Sequence, residues 1–355
     1  MKQLINSTSE PGWPNIEVDY DLPVELFVDN FNGYNPNKKS FKILWVKESE
    51  EISKFKSSAL ENKDKFDAIL TYDEEILEKC DNAHLLEFGT AWVSDFNLNT
   101  PKRFEVSHLT GFKEITNGHI LRKKIHYKQN RIKIKKNFYI SKYGGVENTF
   151  ENNVLADSKN PLFESQYHIC IENSKQKNFF TEKLIDCLIT KTIPIFWGCD
   201  NIHKYFDTRG FFIVNSLDDI VSVCNSLTED TYLEKKEFID KNFELSKKYI
   251  TIIDRLESVI NRILNPVEES KEPKNISIVI PAYEMHGMGA EFLSFSFDKL
   301  KDQSFLDFDI VVSDHSINDS IKNLCEKYSN SLDIKYYRNS ENLGNSSANV
   351  NNAIS

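Results

Sequence analysis

Between Tyr167 and Phe212 the chain spaces carboxylates, a lysine and helix-start residues as a phosphate-gripping site would require. An apolar run, YHICI, ends in Glu172-Asn173-Ser174. After a polar loop, Thr181-Glu182-Lys183 opens a helical pattern, and IPIFW then runs into the turn Trp197-Gly198. Thr181 is a good N-cap, and Glu182 puts an acid in the first turn. Polar groups at the C-terminal end of a parallel strand, set against a helix N-terminus, form the crevice in which α/β sheets bind nucleotides. In such a crevice Lys183 would set a cation on a diphosphate. Glu172 or Glu182 would accept hydrogen bonds from ribose hydroxyls or a guanine edge, and Pro194 with Trp197 would shape the neighbouring wall.

The three elements, in this order and spacing and trailed by FDTRGFF, resemble the hallmark of the α1,3-fucosyltransferases, family 10 of the glycosyltransferases. The resemblance implies a GT-B architecture: two facing Rossmann-like domains with the active site in the cleft. It also implies GDP-fucose as donor, bound by the second domain, and inversion at the anomeric carbon. No metal is then obligatory, although divalent Mn or Mg is compatible. Carried over by position, Glu182 and Lys183 match the pair that holds the donor's ribose and diphosphate. Glu172, Asn173, Ser174, Thr181 and Trp197 line the same pocket. Val106-Ser107-His108 followed by GHILRKKIHY offers Arg122 as the arginine that contacts the diphosphate.

Inversion by direct displacement needs a carboxylate to take the acceptor's proton as its oxygen attacks. The resemblance puts that base just after the second strand of the first domain. There the chain reads Trp45-Val46-Lys47-Glu48-Ser49, and Glu48 is the candidate base, with Glu50 or Glu51 as alternatives if the alignment slips. The competing reading makes Glu48 to Glu51 the acidic first turn of a surface helix. On the acceptor side, His108 at a strand end and Asp95 after EFGTAWV are candidate contacts.

A net charge of −10 argues against nucleic acid as partner. Against that background, Arg122 to Lys136 holds eight Lys or Arg and no acid, which is either a solvated face or an anion-facing surface. Six cysteines, scattered without CxxC pairs, are expected as reduced core residues. No run approaches the roughly 20 apolar residues needed to span a bilayer, and MKQLINSTSEPGWPN lacks a signal-peptide core. The expected partners are a nucleotide sugar and a glycan acceptor, and the expected location is cytoplasmic.

The elements that must position these residues follow a βαβ rhythm. Residues 1–22 read as a polar arm. Residues 23–135 read as the acceptor-side domain, with strands at Phe41–Val46, Phe66–Thr71, Leu85–Val93 and Phe104–Leu109. Helices are expected over Glu48–Asn62 and Gly118–Tyr127, and an edge strand or ribbon at Arg131–Ile134. Residues 136–264 read as the donor domain, with strands Tyr167–Ile171, Ile193–Trp197 and Phe211–Val214. Its helices are expected at Phe180–Thr190 and Leu217–Leu227, closing with one over Tyr232–Leu264.

A linker, 265–275, separates these from residues 276–355, whose ISIVIPAY opening resembles the start of a family 2 glycosyltransferase of GT-A fold. The resemblance makes Pro281, Tyr283 and Asp314 walls of a nucleotide pocket, and a closing NLG and A-N run precedes the place of a metal-binding DxD. The chain ends before that place is reached, so this segment is expected to be inactive, through truncation of a longer bifunctional protein or as a vestige. Its incomplete sheet exposes an edge, which predicts homodimer contacts or loose order there. The overall expectation is an α/β protein of GT-B type with a partial GT-A-like segment. Two other functions remain open: transfer from another nucleotide sugar, or a non-catalytic module that positions the downstream domain.

Overall fold

The computed structural model describes residues 2–5, 7–8, 14–143, 145–265, 276–303, 305, 307–329 and 331–339. Residues 1–266 form one compact unit and residues 267–355 a second.

The first unit opens with an antiparallel pair, β1 (Lys2–Ile5) and β2 (Ile16–Asp19). Instead of a polar arm, this pair buries Ile5, Ile16 and Val18. Four parallel strands follow in sheet order: β3 (Val24–Val28), β4 (Phe41–Val46), β5 (Ala68–Thr71) and β6 (Ala83–Leu85). The helix expected over Glu48–Asn62 is two short ones, α1 (Glu50–Ser53) and α2 (Lys56–Glu61), because Lys54 adopts a left-handed φ of 52° and ends the first. A third helix, α3 (Glu74–Lys79), is capped by the Asp73 carboxylate.

A six-stranded sheet follows, in the order β12-β11-β10-β7-β8-β9. Its strands are β7 (Arg103–Thr110), β8 (Lys136–Ser141), β9 (Asn153–Leu155), β10 (Ser165–Ile171), β11 (Ile193–Trp197) and β12 (Phe212–Ile213). All its pairings are parallel. The helices are α4 (Asn117–Tyr127), α5 (Glu182–Ile189), α6 (Leu217–Ser226), α7 (Glu229–Glu234), α8 (Lys236–Ser246) and α9 (Ile252–Leu264).

The division between the sheets therefore falls between β6 and β7, ahead of the expected 135/136 boundary. β7 pairs with both β10 and β8 and belongs to the middle of the second sheet. The strand expected over Leu85–Val93 ends at Leu85, and the residues beyond it form the connection. At Arg131–Ile134 a 3-10 turn over Gln129–Arg131 replaces the expected ribbon. The long helix expected to close the donor domain is broken by caps. Thr251 accepts the N–H of Ile253 at 3.1 Å and starts α9. That helix leaves the second sheet and packs Ile252, Leu256, Ile260 and Leu264 against Ile16 of β2 and against Val28 and Trp45 of the four-stranded sheet. Burying each such side chain stabilises the docking by about 1.5–3 kcal/mol.

The C-terminal edges of the two sheets meet. Tyr72, just after β5, donates to Gln176 Oε1 at 2.9 Å, and Asn178 donates to the Tyr72 carbonyl at 3.1 Å. Two parallel α/β sheets joined across such an edge form the GT-B arrangement.

The second unit has three parallel strands in sheet order, β13 (Ser277–Ala282), β14 (Asp309–Asp314) and β15 (Ile334–Arg338). Helices α10 (Gly289–Lys301) and α11 (Ser320–Tyr328) supply Leu293, Phe297, Ile321 and Cys325 to its core. The body of the expected linker, 266–275, and the closing NLG and A-N run lie outside the described residues. All six cysteines are unpaired and buried. Among the described residues, no helix is long and apolar enough to cross a membrane.

Candidate donor site

The site is built around the first turn of α5. Glu172, fully buried beyond the end of β10, accepts the Thr181 N–H on one oxygen and the Thr181 hydroxyl on the other, both at 2.8 Å. The Thr181 hydroxyl in turn caps the helix. Two close approaches require glycine here. A Cβ on Gly198 would lie 2.8 Å from Glu172 Cγ, and one on Gly118 would lie 1.8 Å from the Glu172 carbonyl oxygen. The second contact seats the N-terminus of α4 on the end of β10, where the Gly118 N–H bonds the Asn173 carbonyl at 3.1 Å.

Seated there, α4 aims Arg122 across the strand end. Its guanidinium donates to the Ile171 carbonyl at 2.6 Å and to Asn173 Oδ1 at 2.9 Å. Those bonds engage two of its five N–H groups. Lys183 Nζ lies 3.1 Å from Glu182 Oε1 and 3.8 Å from Glu172 Oε2. Burial alone would raise the Glu182 carboxyl, but the charges of Lys183 and Lys159 outweigh it and hold it at about 2. Burial works against the Lys183 ammonium too, yet Glu182 and Glu172 push it above its ordinary value.

A pocket of about 270 Å³ opens beside these groups. Arg122 and Lys183 mark its cationic end, with His119 beside them, while Leu109, Phe163 and Ile169 line an apolar part. His119 sits in the capping box of α4, and burial with the Arg122 charge lowers its pKa to about 4. A helix N-terminus, an arginine with unused donors and a lysine together suit a dianionic diphosphate.

Several expected residues stand elsewhere. Trp197 is 9% exposed and packs with Ile195 and Val214 in the core beneath the sheet, so only its carbonyl reaches the site, accepting the Glu172 N–H at 2.9 Å. Glu172, Asn173, Ser174 and Thr181 do not line the pocket; they hold the groups that do, except that the buried Ser174 hydroxyl has no partner. His108 cannot meet an acceptor. It is sealed against Phe138 with its Nε2 3.2 Å from the Arg122 carbonyl, and burial lowers its pKa to about 4. Asp95 is exposed, beside Asn160, and away from the pocket. Of the eight cations between 122 and 136, only Arg122 lines the pocket; Lys123, Arg131 and Lys135 pair with Glu114, Asp218 and Glu105.

Glu48 stands half-buried at the end of β4, on the edge that meets the second sheet. Its N–H donates to Asp29 Oδ1 at 3.3 Å, and its carbonyl accepts from Tyr72 at 3.3 Å. Glu50 caps α2 through the Lys56 N–H, and Glu51 accepts the Asn117 N–H at 3.3 Å across the cleft. In the second unit Asp314 is buried and tied to Tyr336, Ser316 and Arg338, while Tyr283 is exposed.

Sequence reasoning missed Asp29, Tyr72, Trp92, Lys159 and Asp186. Asp186 had a signal, since it lies four residues beyond Glu182 on the same helix face. Among the described residues no three His, Cys, Asp or Glu side chains cluster as a metal site.

Comparison with known proteins gives two family matches. The profile described as glycosyltransferase family 10 (fucosyltransferase), C-terminal, matches residues 119–253, and that of glycosyl transferase family 2 matches residues 277–355. An α-(1,3)-fucosyltransferase, FucT, of Helicobacter pylori is 33% identical over 105 residues, which is 28% of this chain and 21% of that protein. The chain thus matches about a fifth of the length of that curated relative. Among solved structures, an α1,3-fucosyltransferase with GDP is similar with a TM-score of 0.42 and 16% identity, covering 72% of this chain and 79% of its own. TarM is similar with a TM-score of 0.47 and 14% identity, covering 68% and 54%. A segment similar to family 10 is thus followed by one similar to family 2.

Proposed function

We propose that this protein is an inverting glycosyltransferase that moves L-fucose from GDP-fucose to a hydroxyl of a glycan acceptor. The observation that carries the reading is the Glu182–Lys183 pair at the N-terminus of a helix, beside Arg122, where the C-terminal edges of two parallel sheets meet. Arg122, Lys183 and the helix end hold the diphosphate and stabilise the charge that develops as it leaves. Glu182 accepts from the ribose hydroxyls. Glu48, on the opposite lobe, takes the acceptor's proton as its oxygen attacks the anomeric carbon from the face opposite the leaving group. The chemistry assigned to these residues does not need a divalent Mn or Mg. We place the protein in the cytoplasm, supported by its six unpaired buried thiols.

The test is transfer of radiolabelled fucose from GDP-fucose to a glycan array. Wild type is expected to label at least one acceptor. Glu48→Gln is expected to bind GDP as wild type does and to lose about 10²–10⁴-fold in transfer, the usual worth of a general base. Undiminished transfer removes Glu48 from the mechanism, and no labelling by wild type from any fucose donor overturns the reaction itself.

A further inference from the structure

Beyond Glu182 the pocket holds a second polar group that the chemistry above does not use. Asp186 lies one helical turn further along α5 and is fully buried. Its Oδ1 accepts the Trp92 N–H at 2.7 Å, but its Oδ2 accepts no hydrogen bond. A buried carboxylate oxygen without a donor is costly to keep. The cation beside it is Lys159 Nζ at 3.7 Å, which also stands 3.5 Å from Glu182 and 4.0 Å from the centre of the Trp92 ring. Burial, only partly opposed by Lys159 and by backbone N–H groups, raises the Asp186 carboxyl to about 7. Trp92 itself is 64% exposed at the pocket rim.

A nucleoside diphosphate has its charge at one end and a flat aromatic base at the other. With the diphosphate at Arg122 and Lys183, the ribose falls at Glu182, and the base reaches the part of the pocket walled by Trp92, Lys159 and Asp186. We infer that Asp186 selects the base: its Oδ2 accepts the adjacent ring and amino N–H groups of guanine, Lys159 donates to the neighbouring carbonyl, and the base lies on the Trp92 ring. Guanine alone among the common bases offers two adjacent N–H donors beside a carbonyl. Uracil would turn a second carbonyl toward the carboxylate. Adenine and cytosine offer only an amino group beside a ring acceptor. The inference rests on the donor-pocket reading and gives it a base-reading residue.

The test is calorimetric titration of the full chain with GDP, IDP, ADP, UDP, CDP and inorganic pyrophosphate. Wild type is expected to prefer GDP over ADP, UDP and CDP by at least about tenfold, the penalty for leaving buried groups unpaired. IDP, which lacks the amino group, is expected to bind several-fold more weakly than GDP. Asp186→Asn keeps an acceptor for the Trp92 N–H but turns an NH₂ toward the base. It should erase the preference for GDP while binding pyrophosphate within about twofold of wild type, since Arg122 and Lys183 are untouched. A GDP preference retained by Asp186→Asn overturns the inference, as does equal wild-type affinity for GDP and IDP, a result that does not depend on the variant folding. Pyrophosphate binding without any base preference also sinks it and leaves the pocket reading standing. Failure of wild type to bind any of these ligands sinks both.

Discussion

Replacing Lys183 by Met removes the ammonium on which the donor site depends and keeps the side chain's bulk. At 3.1 Å and an effective dielectric of about 20, its attraction to Glu182 is about 5 kcal/mol before desolvation is subtracted. Removing one partner of a buried pair costs about 3–5 kcal/mol, because the other charge is left behind. Here Lys159 remains 3.5 Å from the same carboxylate, so the lower end, about 3 kcal/mol, is expected. The loss must depend on pH. Glu182 is held at about 2 in the folded protein, below its ordinary range, so its contribution is present above about pH 4 and fades as pH falls toward 2. In Lys183→Met that depression relaxes, so the gap between variant and wild type is largest at pH 7 and shrinks by pH 3. Urea unfolding followed by tryptophan fluorescence reads the right unit, since all four tryptophans precede residue 266. A gap under about 1 kcal/mol at pH 7, or one unchanged at pH 3, would refute the pairing.

Asp29 gives a prediction of opposite sign. It holds a left-handed φ of 50° after β3 and accepts the N–H groups of Lys47 and Glu48, and burial raises its carboxyl to about 6. A raised carboxyl contributes stability below about pH 4 that is lost as pH climbs through 6. Asp29→Asn keeps the acceptor without the charge. It should match wild type at pH 4 and exceed it by up to about 3 kcal/mol at pH 8, which parallel urea titrations would read. Leu256→Ala, in the α9 stripe docked on the first sheet, should cost about 2–5 kcal/mol by the same assay. A cost below 1 kcal/mol would mean that α9 does not hold the first sheet.

The parts of the site written in local pattern were legible in the sequence. Strand β10, the Thr181 cap, α5 and β11 follow from an apolar run, a capping residue and the residues just after them, all near in sequence. What stayed hidden depends on contacts between distant segments. Strand β7 looks like any other strand until its pairing with β10 assigns it to the second sheet. The apolar stripe of α9 announces a buried face but not the sheet it covers. Trp92 reads as strand, yet its N–H is spent on Asp186, 94 residues later. His108 ends a strand as an acceptor contact would, and only the seating of α4 over it shows that it is enclosed. Trp197 belongs to a motif that borders the site, but strand alternation turns its ring into the core.

The most direct test is the structure of the protein bound to GDP. Phosphate oxygens are expected at charge-assisted hydrogen-bond distance, about 2.7–2.9 Å, from Lys183 Nζ and the Arg122 guanidinium, with the ribose against Glu182. GDP bound elsewhere, with both of those side chains still turned only to their protein partners, would contradict that placement.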